Sequence, residues 1–142
     1  MILISHRGNI HGKSPGLENM PEYISDTLNK GYHVEIDVWY KNGFYLGHDN
    51  PQYSVKPNFL SQDKIWCHAK NIEAIIEMSK YPKIHYFWHQ KDDITLTSKG
   101  YVWAYPGKQP IKNSIAVLPE IYQDNLDVCR GVCSDYVENY KK

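Results

Sequence analysis

Glu35 and Asp37 stand two residues apart in "VEIDVWY", residues 34–40, a run of branched and aromatic side chains that reads as a β-strand. Strand side chains alternate, so the two carboxylates share one face. Left unpaired in an interior, two such charges cost several kcal/mol each. A divalent cation relieves that cost, and carboxylate oxygens suit a hard ion such as Mg²⁺ or Ca²⁺. Other reactive types recur nearby. His6-Arg7 follows "ILIS", His48-Asp49 closes "GFYLGHD", His68 and Lys70 end "KIWCHAK", and His89-Gln90 ends "KIHYFWHQ". Imidazoles, an arginine and a lysine around an acidic pair suit a phosphate held beside a metal, with Arg7 and Lys70 as the cations that grip it. The competing reading is structural: Glu35 and Asp37 as buried ion-pair partners of Arg7 and Lys70, and His48-Asp49 as turn chemistry before Pro51.

These residues must be positioned by short elements. "ILIS" and "VEIDVWY" read as strands joined by a helix, with Asn19 as its cap, Pro21 and Glu22 in its first turn, Ile24 and Leu28 one turn apart, and Gly31 at its end. Glu18-Asn19 reads as the start of that helix, with Glu18 a second candidate partner for Arg7. "KNG" at 41–43 makes a hairpin turn into a return strand, "GFYLGHD". Then come a strand at 64–70, a helix from Asn71 that stops before Pro82, and a strand at 83–90; "YVWAYPG", "SIAVLPE" and "GVCSDYV" add three more with only short connections. Strand-helix alternation in the first half favours a parallel α/β sheet, open or closed into a barrel. In such folds reactive groups gather where strands end, and His6-Arg7, Glu35, Asp37, His68, Lys70 and His89 obey that rule.

Composition limits the partners. With 142 residues, 42% hydrophobic, one domain spanning 1–142 is expected. Sixteen basic and sixteen acidic residues leave no field of one sign, which argues against nucleic acid and for a small-molecule partner gripped locally. "MILISHRG" lacks the charged region, apolar stretch and cleavage site of a signal peptide, and no run of about 18 apolar residues occurs. Stable membrane insertion is not expected. Cys67, Cys129 and Cys133 are odd in number and lack CxxC spacing, which favours reduced thiols and a cytoplasmic setting.

The order of the pieces resembles a known family. "HRG" at 6–8, "EN" at 18–19, "EIDV" at 35–38 and "HD" at 48–49 look like the glycerophosphodiester phosphodiesterase family, of the phospholipase C-like phosphodiesterase superfamily, and "GVCSDYVE" is similar to its closing strand. The resemblance implies a TIM-type (β/α) barrel, a divalent metal (Mg²⁺, Mn²⁺ or Ca²⁺) on Glu35 and Asp37, and His6 and His48 as general acid and base. It implies metal-dependent hydrolysis of a phosphodiester, with a glycerophosphodiester as the expected substrate. Two departures matter. Such barrels run to about 250 residues, so 142 residues predict a compact barrel with shortened or missing helices, whose thin wall a second copy of the chain would cover. The family also carries an acidic third metal ligand two places before the lysine, where this chain has His68. That replacement predicts His68 as a ligand and a shift from Ca²⁺ toward Mn²⁺, Co²⁺ or Zn²⁺; the alternative is an imidazole that meets the phosphate directly. Two alternative functions stand beside this one: a non-catalytic phosphate-binding barrel, and a phospholipase D-like enzyme acting on lysolipid head groups.

Overall fold

The alternation that puts Glu35 and Asp37 on one face puts Val34, Ile36 and Val38 on the other. In the computed structural model, which describes residues 1–142, ten strands share one mixed sheet. They are β1 (Ile2–His6), β2 (His33–Tyr40), β3 (Phe44–Leu46), β4 (Tyr53–Val55), β5 (Ile65–Ala69), β6 (Tyr86–Phe87), β7 (Ile94–Leu96), β8 (Val102–Ala104), β9 (Ser114–Val117) and β10 (Gly131–Ser134). Seven of them run parallel in the spatial order β6-β5-β2-β1-β10-β9-β8. The β3-β4 hairpin extends antiparallel from the far end of β2, and β7 lies antiparallel on β8.

The expected TIM-type barrel is not formed. Only three short helices occur, α1 (Pro21–Asn29), α2 (Pro57–Leu60) and α3 (Ile72–Met78), and no α-helix follows β6. A helical crossover between parallel strands takes a dozen or more residues, and 105–113, between parallel β8 and β9, is too short to hold one. Nor is the sheet closed. Strands β6 and β7 share no ladder; the chain around them is tied by single bonds, Ser98 N to Tyr86 O at 2.8 Å and Thr95 Oγ1 to Trp88 O at 2.8 Å. For the same reason the strand expected over 83–90 shrinks to Tyr86–Phe87, which has a ladder partner on one edge only. Strands β4 and β7 and helix α2 are additions to the expected elements, and the return strand stops at Leu46, leaving His48-Asp49 in a bend.

Two layers of side chains follow from the alternation. Val34, Ile36 and Val38 of β2 and Ile65, Cys67 and Ala69 of β5 pack beneath α1 and α3, against Ile24, Ala74 and Met78. Fully burying each large aliphatic side chain there contributes about 2 kcal/mol. Pro21 and Glu22 do open α1, yet its cap is Met20, which makes no side-chain bond; Asn19 is turned elsewhere. On the opposite face one residue from each of six strands meets its neighbours: Ile4, Trp66, Phe87, Trp103, Ile115 and Cys133. This apolar layer is the floor beneath the polar strand ends. The three cysteines are free thiols, and no helix is long and apolar enough to cross a membrane.

Beside that floor lies His85, 3% exposed, its Nε2 bonded to Thr97 Oγ1 at 2.7 Å and its ring 4.2 Å from Trp66. Burial, with Lys99 and His33 nearby, lowers its pKa to about 4. Below the ordinary value of about 6.5 the unfolded chain therefore binds a proton that the folded chain refuses, and stability falls as pH drops from there toward 4. The slope is at most about 1.4 kcal/mol per pH unit. Thermal melting between pH 7 and 4 should show a shallower acid limb in His85→Gln, which keeps a polar partner for Thr97 but does not titrate.

Candidate metal centre

One edge of β2 assembles the site. Its first half is bonded by β1, in the register His6 to Glu35, and its last residues by β3. Between these ladders Arg7 N donates to Glu35 O at 2.9 Å and Gly47 N donates to Asp37 O at 3.1 Å. The segments "HRG" and "GHD" are thus laid along the same three residues of β2. Arg7 takes a left-handed backbone (φ 60°), which costs about 1–2 kcal/mol for a residue with a Cβ. At Gly47 a Cβ would collide with the Asn50 carbonyl oxygen, so only glycine permits this bend.

Glu35 and Asp37 are 2% and 0% exposed. On the neighbouring strand β5, Asp37 pairs with His68, and the side chain of His68 points to the same face. His68 Nδ1 lies 3.3 Å from Asp37 Oδ1 and 3.7 Å from Glu35 Oε2. One ligand atom from each of the three residues lies within 4.8 Å of the other two. His68 Nε2 meets the His89 carbonyl oxygen at 2.8 Å, and the ring stacks on Phe87 at 5.2 Å. A carbonyl only accepts, so Nε2 carries a proton and Nδ1 is the atom offered to the carboxylates. Glu35 Oε1 and Asp37 Oδ1 are buried without any hydrogen-bond partner. Such oxygens are costly unless something else meets them. Asp37 Oδ1 faces His68 Nδ1 and Glu35 Oε1 lies toward His6 Nε2, and with His68 the two carboxylates form a donor set that a divalent cation fits.

The surroundings of Asp37 are built to keep it ionised. Burial opposes the charge, but His68, Arg7 and the Asn19 amide outweigh it and hold the carboxyl well below the usual range. Arg7 Nε lies 3.1 Å from Asp37 Oδ2, at an angle that makes an ion pair rather than a hydrogen bond. Asn19 donates Nδ2 to Asp37 Oδ2 at 3.0 Å and accepts from Asp37 N at 2.9 Å, a two-point clamp made from a left-handed residue (φ 66°). Burial likewise opposes charge on His68, and the two carboxylates overcome it, raising its pKa to about 9.

Beside this cluster, sharing its neighbours His6, Arg7 and Asn19 but lined by none of Glu35, Asp37 and His68, is a cavity of about 500 Å³ whose apolar lining residues are Pro15 and Leu118. His6, Arg7 and His48 all face it. His6 Nδ1 meets Asp135 Oδ1 at 2.8 Å, and its Nε2 lies 3.9 Å from Glu35 Oε1. His48 Nδ1 meets Asp49 Oδ1 at 2.7 Å; the pair can face each other because it sits in a bend, not on a strand. Lys70 ends β5 with its N–H bonded to Val38 O at 2.8 Å, but it neither lines the cavity nor forms an ion pair with any carboxylate. Of the sequence candidates, His6, Arg7, Glu35, Asp37 and His68 come together, His48 joins them across the cavity, and Lys70 does not.

Several site residues have no counterpart among those candidates. Asp135 follows β10 and reaches His6 because β1 and β10 pair in register, Ser5 with Ser134. Asn9 donates to both Asp135 (2.8 Å) and Glu18 (3.0 Å), and is itself held by Tyr23 Oη (2.9 Å). Glu18 is indeed a partner of Arg7, at 3.2 Å. The signal for Asp135 was present: it is a polar residue at the carboxyl end of a parallel strand. No protein-family model matches the chain, and neither the curated proteins nor the solved structures contain a match.

Proposed function

We propose that this protein is a metal-dependent phosphodiester hydrolase acting on a small polar diester such as a glycerophosphodiester. The observation that carries the reading is a pair of orphaned, buried carboxylate oxygens, Asp37 Oδ1 opposite His68 Nδ1 and Glu35 Oε1 toward His6 Nε2, beside a cavity that His6, Arg7 and His48 line. Glu35, Asp37 and His68 would hold a divalent ion, Mn²⁺, Mg²⁺ or Ca²⁺, whose charge would polarise a phosphate oxygen. Arg7 spends Nε on Asp37 and Nη1 on Glu18, and its remaining N–H groups are available to an anion in the cavity. Held rigidly on both sides, the guanidinium stabilises charge on the phosphate without reorganising. His6 and His48 divide the proton transfers, one drawing a proton from water or a substrate hydroxyl and the other giving one to the departing alcohol. Asp135 orients His6 and Asp49 orients His48, each by accepting from Nδ1 and leaving Nε2 for the substrate.

Ten of the twelve lining residues are polar or charged, which supports a hydroxylated alcohol over an acyl chain and so favours the glycerophosphodiester over the lysolipid alternative. A reduced, cytoplasmic setting fits three free thiols. The deciding experiment assays a glycerophosphodiester, a lysophospholipid and a chromogenic bis-aryl phosphate in parallel, each with and without metal. Release of alcohol from the first, dependent on metal, is expected. Tight phosphate binding with no turnover of any of the three would instead establish a binding module.

His68 sets the metal preference. An imidazole in place of a carboxylate lowers the ligand charge and adds a softer donor, so Mn²⁺ should bind better than Ca²⁺, and His68→Glu should move the ranking toward Mg²⁺ or Ca²⁺. Direct titration of each metal into both proteins checks this; identical rankings would put His68 outside the ligand set.

A further inference from the structure

Seven charged or titratable side chains line the cavity, and six of them are already paired. His6 is bonded to Asp135 at 2.8 Å, Arg7 to Glu18 at 3.2 Å and His48 to Asp49 at 2.7 Å. The seventh, Lys13, has no carboxylate within 4.0 Å of its ammonium and makes no side-chain hydrogen bond. Lys13 is therefore the one charged side chain in the cavity without a side-chain partner. Its backbone is held on both sides. Gly12 N donates to Asp135 O at 2.8 Å, and Ser14 O accepts from Leu17 N at 2.8 Å and Glu18 N at 3.1 Å. At Gly12 (φ 134°) a Cβ would press on the Tyr136 ring at 3.2 Å, so the loop also packs closely where it turns toward the cavity.

A phosphodiester brings one negative charge, and the proposed metal with Arg7 meets it at the floor. Of the carboxylates around the cavity, Glu18 is held by Arg7, Asp135 by His6 and Asn9, and Asp49 meets His48 Nδ1. A free ammonium at the exposed rim attracts a second anion on the same molecule. Resting on the hydrolase reading above, we propose that Lys13 is a specificity determinant, selecting diesters whose alcohol carries a second negative group, a phosphate or a carboxylate. The attraction acts at a rim open to solvent, so it amounts to a preference of about fivefold, weakened by salt. It acts on ground state and transition state alike and is read in KM rather than kcat.

The test compares four diesters on the Mn²⁺-loaded full chain: glycerophosphoglycerol, the same compound phosphorylated on its far hydroxyl, the analogue ending in glycerate, and glycerophosphocholine. The wild-type protein is expected to favour the two anionic compounds over glycerophosphoglycerol by about fivefold in kcat/KM. Lys13→Arg should keep that ratio, Lys13→Met should erase it through KM, and Lys13→Glu should turn it toward the choline compound. Selection of one anionic compound alone would fix its source as phosphate or carboxylate. The same ratios in wild type and Lys13→Met, or no preference in wild type, would overturn the assignment. If the wild type hydrolyses none of the four, the hydrolase reading fails by itself. Calorimetric titration of the same compounds then still decides Lys13: weaker binding of the anionic pair to Lys13→Met supports the role, and equal binding removes it.

Discussion

His6→Ala is expected to lower turnover of a glycerophosphodiester by at least about a hundredfold at saturating Mn²⁺, because the imidazole is asked for one full proton transfer. The fold should survive. Asp135, the partner that loses His6, keeps the Asn9 amide at 2.8 Å, and the apolar floor under the site contains neither residue. His48→Ala should show a comparable loss with still less effect on melting, since His48 and Asp49 lie at the exposed rim with side chains 46% and 88% accessible. Asp135→Asn separates orientation from chemistry. An amide at that position can present an N–H to His6 Nδ1 and favour the wrong tautomer, so kcat should fall while KM and metal affinity hold. Wild-type rates in both histidine variants, with metal bound, would remove acid-base catalysis and leave a phosphate-binding role in front.

How much of this could be read from the chain depends on how local each relation is. The shared face of Glu35 and Asp37 needs only the period of a strand, and it is legible. So is the face of His68, by the same parity within "KIWCHAK". That Nε2 of His68 is tied to His89 O, which leaves Nδ1 to the carboxylates, depends on how the chain leaves β6, and no spacing encodes it. Asp135 lies 129 residues from His6 and meets it only through the β1-β10 register. Asn19 looks like a helix cap because it precedes Pro21; the chain instead spends that side chain on Asp37 and lets Met20 open the helix without a cap. The TIM-type barrel was what the family resemblance implies; the alternation in the first half, where two strand-helix-strand units do occur, reads only as a parallel α/β sheet, open or closed. In the second half 105–113 has no room for a helix, and the thirteen residues 118–130 between β9 and β10 run as turns and irregular chain. Strand β7, whose Ile94 and Leu96 are exposed, carries no buried apolar alternation to announce it, and β4 is masked by Pro51 and Pro57 on either side.

Asp37→Asn should have the second large effect, on metal binding and on stability at once. Asp37 is fully buried, and Arg7 Nε, His68 Nδ1 and the Asn19 amide all converge on it within 3.3 Å. Removing one partner of a buried ion pair leaves an uncompensated charge and costs about 3–5 kcal/mol; Glu18 still partners Arg7, which places the expected loss at the low end. Glu35→Gln leaves Arg7 paired and should cost much less, yet it too removes a proposed ligand. Both variants should therefore lose divalent-metal affinity by at least about a hundredfold, the weight of a first ligand exceeding the 10- to 100-fold of an outer partner, while only Asp37→Asn melts much earlier. The proposed site predicts a pH dependence of metal loading. Its carboxylates are neutralised by His68, whose pKa is raised to about 9. The stabilisation from that proton is complete below the ordinary histidine value of about 6.5 and is lost as pH rises through 9. An ion must displace the proton from Nδ1, so metal affinity should climb with pH up to about 9 and binding at neutral pH should release close to one proton. Calorimetry in two buffers of different ionisation enthalpy measures that proton directly. Loading that releases none, with affinity unchanged in Glu35→Gln, would mean that the ion sits elsewhere and that Glu35, Asp37 and His68 form only a buried charge cluster.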